Sequence, residues 1–136
     1  MYQRDLIVAE IQKLAQTLAK IIGLKLEEKI EEAQALTEKI LSEELIPGSE
    51  SLNTISPEDF ESGLHDKQYS AEKLDLISKL IFESVSPFEQ KPEHRNRFRL
   101  ILVIYDVLEK VHHTQSFNNL ATRSAIEKFL NTGHHE

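Results

Sequence analysis

Residues 5–24 have the sequence DLIVAEIQKLAQTLAKIIGL, which has the apolar spacing of a packed helix. Its large apolar residues recur at alternating intervals of four and three, the pattern of a seam between helices. The seam consists of Ile7, Ile11, Leu14, Leu18 and Ile21. The spacing predicts a first helix over residues 5–22, followed by Gly23 as the stop, because glycine tolerates the positive φ that often closes a helix.

This first helix is apolar around more of its circumference than one packed face requires. Val8, Ala15, Ala19 and Ile22 flank the seam and leave only a narrow polar stripe. A stripe that thin indicates a helix that is covered on more than one side. The chain has 136 residues, enough for one domain, and we do not expect such a domain to enclose a terminal helix fully. The sequence therefore predicts a protein that acts through protein–protein contacts, by self-association through the seam in a two-fold homodimer, with an unidentified protein as the alternative partner.

The rest of the chain continues the helical pattern. A second helix is predicted over residues 25–45, with Pro47 and Gly48 ending it. Ser56 and Pro57 have the sequence of a helix start, since serine caps and proline is preorganised for the first turn. The predicted helices after the second cover residues 57–66, 71–85, 92–113 and 117–131. The fold class is all-α, with five or six helices in antiparallel hairpins.

The predicted helices form one domain over residues 1–136, in three parts. The parts are an N-terminal hairpin (1–46), a loop with a short helix (47–69) and a C-terminal three-helix unit (70–133). In the last part, the six residues Leu100 to Tyr105 form an unbroken apolar run that a buried strand would also show. The flanks keep helical spacing and no partner strand is evident, so we predict a central, most buried helix there.

Composition excludes several classes of protein. The chain has no cysteine, four glycines and a formal net charge of −7. Disulfide frameworks, thiolate metal sites, glycine-rich phosphate loops and general nucleic-acid binding are therefore not expected. No apolar run approaches the roughly 20 residues of a membrane span, and no secretory signal pattern is found. We expect a soluble cytoplasmic protein with no nucleic-acid or membrane partner; membrane-surface binding through the first helix would need more basic residues.

Charge is unevenly distributed between the helices. Residues 25–44 contain seven acidic and three basic side chains, a pattern typical of a solvated helix face, with an acidic docking strip as the alternative. The one basic cluster contains Arg95, Arg97 and Arg99. Since a helix turns about 100° per residue, Arg95 and Arg99 share a face and Arg97 points elsewhere. We expect Arg95 or Arg99 to pair with the acidic second helix; an anion or partner face at these two residues is the alternative.

No catalytic motif is present, and we predict a protein without enzymatic activity, catalytic residues, metal or cofactor. One Glu-x-x-His pair, Glu109 and His112, lies on a predicted helix, but the second pair that a di-iron bundle requires is absent. The simpler interpretation of this pair is that His112 lies in the last turn of the helix, at the negative end of the helix dipole. A small-ligand or metal-dependent enzyme with a site near Tyr105, Glu109 and His112 is the alternative function. His134 and His135 near the end of the sequence are expected to have no role.

The first helix resembles the opening of a group of short bacterial proteins of unknown function. These begin with an aspartate and an apolar pair, followed by I-x-x-L-A-x-x-L-A-x-I and a glycine, as do residues 5–23 here. In that group the C-terminal half looks like tetratricopeptide-type helical hairpins. The resemblance implies a tetratricopeptide-like arrangement of residues 71–131 and oligomerisation, and it implies no reaction.

Overall fold

The computed structural model describes residues 2–45 and 49–132, which contain six α-helices and no β-strand. The helices are α1 (Tyr2–Leu26), α2 (Ile30–Glu44), α3 (Pro57–Lys67), α4 (Ala71–Ser84), α5 (Pro92–Lys110) and α6 (Phe117–Thr132), with a 3₁₀ helix (Ser49–Asn53) between α2 and α3. The all-α prediction is confirmed, and the apolar run at residues 100–105 is helical, within α5. The predicted helix stop at Pro47 and Gly48, like His134 and His135, lies outside the described residues.

The predicted helix starts have the expected caps. The Ser56 hydroxyl accepts a hydrogen bond from the backbone N–H of Asp59 at 3.1 Å, and Pro57 occupies the first turn of α3. At the start of α4, the Ser70 hydroxyl accepts from the N–H of Lys73 at 3.2 Å. Each cap satisfies a backbone donor that the helix itself leaves unpaired, and so sets the residue at which the helix begins.

The break between the first two helices is not where glycine predicted it. α1 continues through Gly23 to Leu26, and the left-handed residue that turns the chain is Glu28, with φ 63°. A Cβ at Gly23 would meet no atom within 4 Å, so nothing at that position requires glycine. The extra turn places Lys25 where its ammonium reaches Glu83 at 2.8 Å. The end of α1, which local sequence did not predict, is thus accompanied by the contact between Lys25 and Glu83.

Other boundaries also differ from the sequence pattern, beginning with α1, which starts at Tyr2 rather than at residue 5. The predicted loop after the second helix contains the 3₁₀ helix Ser49–Asn53. α5 ends at Lys110, three residues earlier than expected, and His113 adopts a left-handed conformation with φ 53°. The fourth and sixth helices keep their predicted starts and end within one residue of the predicted positions.

α4 and α5 form the centre of the bundle. α4 packs against α1, α2 and α5, whereas α5 packs against α3, α4, α6 and the 3₁₀ helix. α5 buries more side chains than any other helix in the described residues, as its apolar circumference predicted. They are Arg97, Phe98, Leu100, Ile101, Val103, Ile104, Tyr105, Val107 and Leu108. Every helix contributes at least one side chain to the same apolar core.

Side-chain contacts show how α1, α2 and α4 are oriented. Lys73, at the start of α4, contacts Glu10 of α1 and Glu44 at the end of α2. At the other end of the bundle, Lys25 of α1 contacts Glu83 of α4. α1 therefore runs parallel to α4, and α2 runs antiparallel to both. Residues 27–29 make the tight reversal between α1 and α2.

The second half of the chain continues as hairpins. Arg97 near the start of α5 contacts Ser84 at the end of α4, and Arg95 contacts the Leu130 carbonyl near the end of α6. These contacts make α4–α5 and α5–α6 antiparallel. The hairpin prediction is wrong for α3, which packs against α5 and, within the part of the chain that the structure describes, contacts neither α2 nor α4. Between α2 and α3 the chain returns along the 3₁₀ helix to Asn96.

Four phenylalanines join the connector between α4 and α5 to the core. Phe88, in this connector, makes edge contacts with Phe82 of α4, Phe98 of α5 and Phe129 of α6. The ring centroids lie 4.7–5.6 Å apart, within the range that favours aromatic pairs. The connector is therefore a packed part of the bundle, and it helps to hold α6 against α5.

Candidate interaction surface

α1 is covered on one side only: it packs against α2 and α4. The side chains of Leu14 and Ile21 are fully buried, and Leu18 packs against the core. Ile11 is half-buried, and Ile7 is 49% exposed. The predicted seam is therefore divided: Leu14 and Ile21 contact the protein's own core rather than a partner, because α2 and α4 close over them. Ile7 and, in part, Ile11 remain accessible.

An apolar strip next to the seam stays open to solvent. We call this set the α1 strip: Val8, Ile11, Ala15, Ala19, Ile22 and Leu26. At about 100° per residue, its members lie within an arc of about 80°. Val8, Ile22 and Leu26 are 48%, 41% and 81% exposed, and both alanines are exposed. Large contiguous apolar patches on the surface of a protein usually mark interaction sites.

Further apolar side chains extend the open surface beyond the α1 strip. Ile7, in the first turns of α1 and next to Ile11, is 49% exposed, and Ile30, at the start of α2, is 50% exposed; Leu6 is 55% exposed but lies on the opposite side of α1 from the strip. Leu6 and Ile7 precede Glu10, which already contacts the first turn of α4. The first turns of α1 therefore extend past the start of α4.

Ion pairs attach α1 to the bundle near both of its ends. Lys73 contacts the carboxylates of Glu10 and Glu44, and its ammonium lies 4.7 Å from the centroid of the Tyr69 ring. Burial acts to lower the pKa of Lys73, but the two carboxylates outweigh it and the pKa is raised. Lys25 makes the corresponding contact at the other end of the helix. These charges are paired within the chain, and the α1 strip itself contains none.

A groove separates α1 from α6, with α4 as its floor. It has a volume of about 460 Å³ including its open mouth. Its lining includes Leu18 and Ile22 of α1, Phe82 of α4 and Thr122 of α6. The two charged lining residues are paired within the chain: Lys79 with Asp75, and Glu83 with Lys25, each at 2.8 Å. Because Ile22 belongs to both, the groove and the α1 strip form one continuous surface.

Arg97 is the arginine that pairs with the acidic second helix. Its side chain is buried, and its guanidinium donates to both carboxylate oxygens of Glu38, at 2.7 and 2.9 Å. It also donates to the Asn53 side chain at 2.8 Å and to the Ser84 hydroxyl at 2.9 Å. This one side chain therefore links α5 to α2, α4 and the 3₁₀ helix, in the bidentate geometry that suits arginine.

The prediction that Arg95 or Arg99 pairs with the second helix is wrong. Arg95 donates to Gln90 and to the Leu130 carbonyl, and Arg99 is exposed, so neither pairs with α2. The missed signal is that Arg97 lies four residues before Ile101 and so shares the apolar face of α5. A charged residue on such a face predicts a buried partner. Glu27, Glu28, Glu31 and Glu32 are exposed, as a solvated face would be.

Tyr105, Glu109 and His112 do not converge on one site. Tyr105 and Glu109 line a hollow with room for about one water molecule. The Glu109 carboxylate accepts from Gln115 at 2.6 Å and lies 3.5 Å from Arg123, while His112 lines a different hollow, with Leu64 and Val107 among its walls. Burial raises the pKa of Tyr105. Within the described residues, no group of three or more His, Asp or Glu could hold a metal.

Among the helices described in residues 2–45 and 49–132, none contains an apolar stretch of the length that a membrane span requires. No protein-family model, curated protein or solved structure matches the chain. The likeness of the first helix to a bacterial group, and the tetratricopeptide-like arrangement of residues 71–131, therefore stay predictions. The α1 strip is the candidate site on physical grounds alone.

Proposed function

We propose that the protein acts through protein–protein contacts and self-associates through the α1 strip. The observation that carries the proposal is the open, uncharged apolar surface of α1. From Val8 to Leu26 it extends over about 27 Å, at a rise of about 1.5 Å per residue. α4 and α2 occupy the opposite side of the helix, so a partner can cover the strip without displacing any part of the core.

The exposed area is sufficient for a weak dimer. Five large apolar side chains on this side of the molecule are 41–81% exposed: Ile7, Val8, Ile22, Leu26 and Ile30. Covering them in two copies would contribute roughly 8–16 kcal/mol, at 1.5–3 kcal/mol per fully buried side chain. Association costs about 4–15 kcal/mol. Gain and cost are therefore of similar size, which is typical of a weak dimer; a dissociation constant of about 1 μM would require about 8 kcal/mol of net binding.

A second copy is the partner whose chemistry suits this surface. The α1 strip offers neither charge nor a side-chain hydrogen bond, so its partner must itself be apolar, and the same strip on another copy meets that requirement. The proposal assigns no catalytic activity, since the alternative site near Glu109 is not assembled. A cytoplasmic location, in keeping with a chain that lacks cysteine, belongs to the proposal as well.

The test compares two neighbouring substitutions on α1. Ala15 lies in the strip and Gln16 lies about 100° away from it on the polar side; both are exposed, so glutamate at either position leaves the core intact. We expect the wild type and Gln16→Glu to dimerise at micromolar concentrations in sedimentation velocity, and Ala15→Glu to remain monomeric. Circular dichroism should show equal helicity in all three. Leu14→Glu cannot serve here because Leu14 is in the core.

A monomeric wild type throughout the micromolar range would overturn the proposal. A dimeric Ala15→Glu variant would overturn it too, because a carboxylate buried in an apolar contact costs several kcal/mol.

A further inference from the structure

Four of the six members of the α1 strip are placed symmetrically about Thr17; the exceptions, Ile11 and Ile22, would face Gly23 and Gln12. Val8 lies nine residues before Thr17 and Leu26 lies nine residues after it, while Ala15 and Ala19 lie two before and two after. A two-fold axis level with Thr17 would therefore place Val8 opposite Leu26 of a second copy, and Ala15 opposite its Ala19. This arrangement requires the two α1 helices to run antiparallel.

The sizes of the side chains suit that arrangement. The exposed alanines at positions 15 and 19 lie at the centre, where two helices that cross at an angle approach most closely. The larger Val8 and Leu26 lie towards the ends, where crossing helices diverge and more space must be filled. Antiparallel packing also places the positive end of each helix dipole beside the negative end of the other.

The groove between α1 and α6 widens the contact. A helix laid along the α1 strip also faces this groove, since Ile22 lines both. Covering the groove leaves no new unpaired charge, because Lys79 and Glu83 already have partners within the chain. A contact that includes the groove comes closer to the roughly 800 Å² per partner of a stable interface than the strip alone.

We propose that α1 of a second copy lies antiparallel along the α1 strip, with the two-fold axis near Thr17, and covers the groove between α1 and α6. This inference rests on the proposed self-association and adds its geometry. Each copy then shields the exposed Leu26 of the other with its own first turns, which extend beyond α4, and Ile22 lies level with Gln12 of the other copy. A parallel arrangement would instead place Val8 against Val8.

The absence of cysteine allows a direct test of this register. Val8→Cys and Leu26→Cys are made separately, each checked for helicity, then mixed and exposed to a mild copper oxidant. Positions 8 and 26 of one chain are about 27 Å apart along the helix, and a disulfide requires Cα atoms within about 7 Å. A Val8–Leu26 cross-link must therefore join two copies. We expect the mixture to yield mixed covalent dimers at least tenfold faster than either variant alone.

Lys13→Cys, on the polar face of α1, is the matched control. It is exposed, lies nearly opposite the strip on the helix, and should form few cross-links when mixed with Leu26→Cys. Equal cross-linking of Lys13→Cys would show random collision and overturn the register. Faster cross-linking of Val8→Cys with itself would also overturn it, in favour of parallel helices, while the proposed self-association would stand. Failure of every pair together with a monomeric wild type would overturn both.

Discussion

α5 and α1 look alike in sequence and differ in how the bundle covers them. Both carry apolar residues around much of their circumference. α5 lies between α3, α4 and α6, and nine of its 19 residues are buried. α1 contacts only α2 and α4, and its fully buried side chains among residues 6–26 are Leu14 and Ile21. Apolar residues around a helix therefore indicate that its surface is packed against something. They do not indicate whether the packing partner is part of the same chain or another molecule.

The polar residues of the two helices reinforce the contrast. Arg97 of α5 lies inside the bundle and satisfies its guanidinium on three other elements. Glu10 and Lys25 of α1 form ion pairs at the edge, where solvent still reaches them. Breaking a buried pair exposes a desolvated charge, whereas breaking an edge pair returns both groups to water. The two helices should therefore respond differently to matched substitutions.

The largest expected difference compares isoleucines of the two helices. Ile101→Ala in α5 removes a side chain with no exposed surface, and we expect a loss of about 4 kcal/mol in the free energy of unfolding. Ile7→Ala in α1 removes one that is 49% exposed, and we expect a loss below about 1 kcal/mol. Urea denaturation at submicromolar protein concentration measures both without a contribution from dimerisation. Equal losses would show that α1 is buried as deeply as α5.

The second comparison uses two glutamates of α2. Glu38→Gln removes the charge that neutralises buried Arg97, so we expect the free energy of unfolding to fall by about 3 kcal/mol. Glu31→Gln, on the exposed side of the same helix, should change it by less than about 0.5 kcal/mol. The same denaturation experiment applies. If the two substitutions cost the same, the Arg97–Glu38 pair does not hold α5 to α2.

The smallest effect on stability is expected from a change of pH, which tests how deeply the tyrosines of the covered region are buried. Burial is the largest cause that raises the pKa of Tyr69 and Tyr105 above 10.0. The unfolded chain therefore releases these phenolic protons at lower pH than the folded protein, and stability should decline as pH rises above about 10. Tyrosinate absorption should appear at higher pH in native protein than in urea. Tyr105→Phe should weaken the decline; coincident native and unfolded titration curves would contradict this expectation.

Local chemistry made much of the fold predictable. Ser56 and Ser70 cap the helices that they were expected to start, and the apolar run at 100–105 lies on the most buried helix. These features depend on neighbouring residues and on periodicity, which sequence contains directly. The end of α1 was not predictable in the same way, because Glu28 rather than Gly23 turns the chain. Glycine permits a left-handed turn without requiring one.

The candidate site was predictable only in outline. Sequence alone indicated that the first helix carries excess apolar surface, because composition and spacing are properties of a single helix. The division of that surface, with Leu14 and Ile21 turned inward and Val8, Ile22 and Leu26 left open, was decided by the positions of α2 and α4. The spacing from Ile101 places Arg97 on the apolar face of α5, but its pairing with Glu38 is tertiary, since it depends on which face of α5 meets α2. Periodicity determines which residues share a face, but only the packed neighbours determine which face water can reach.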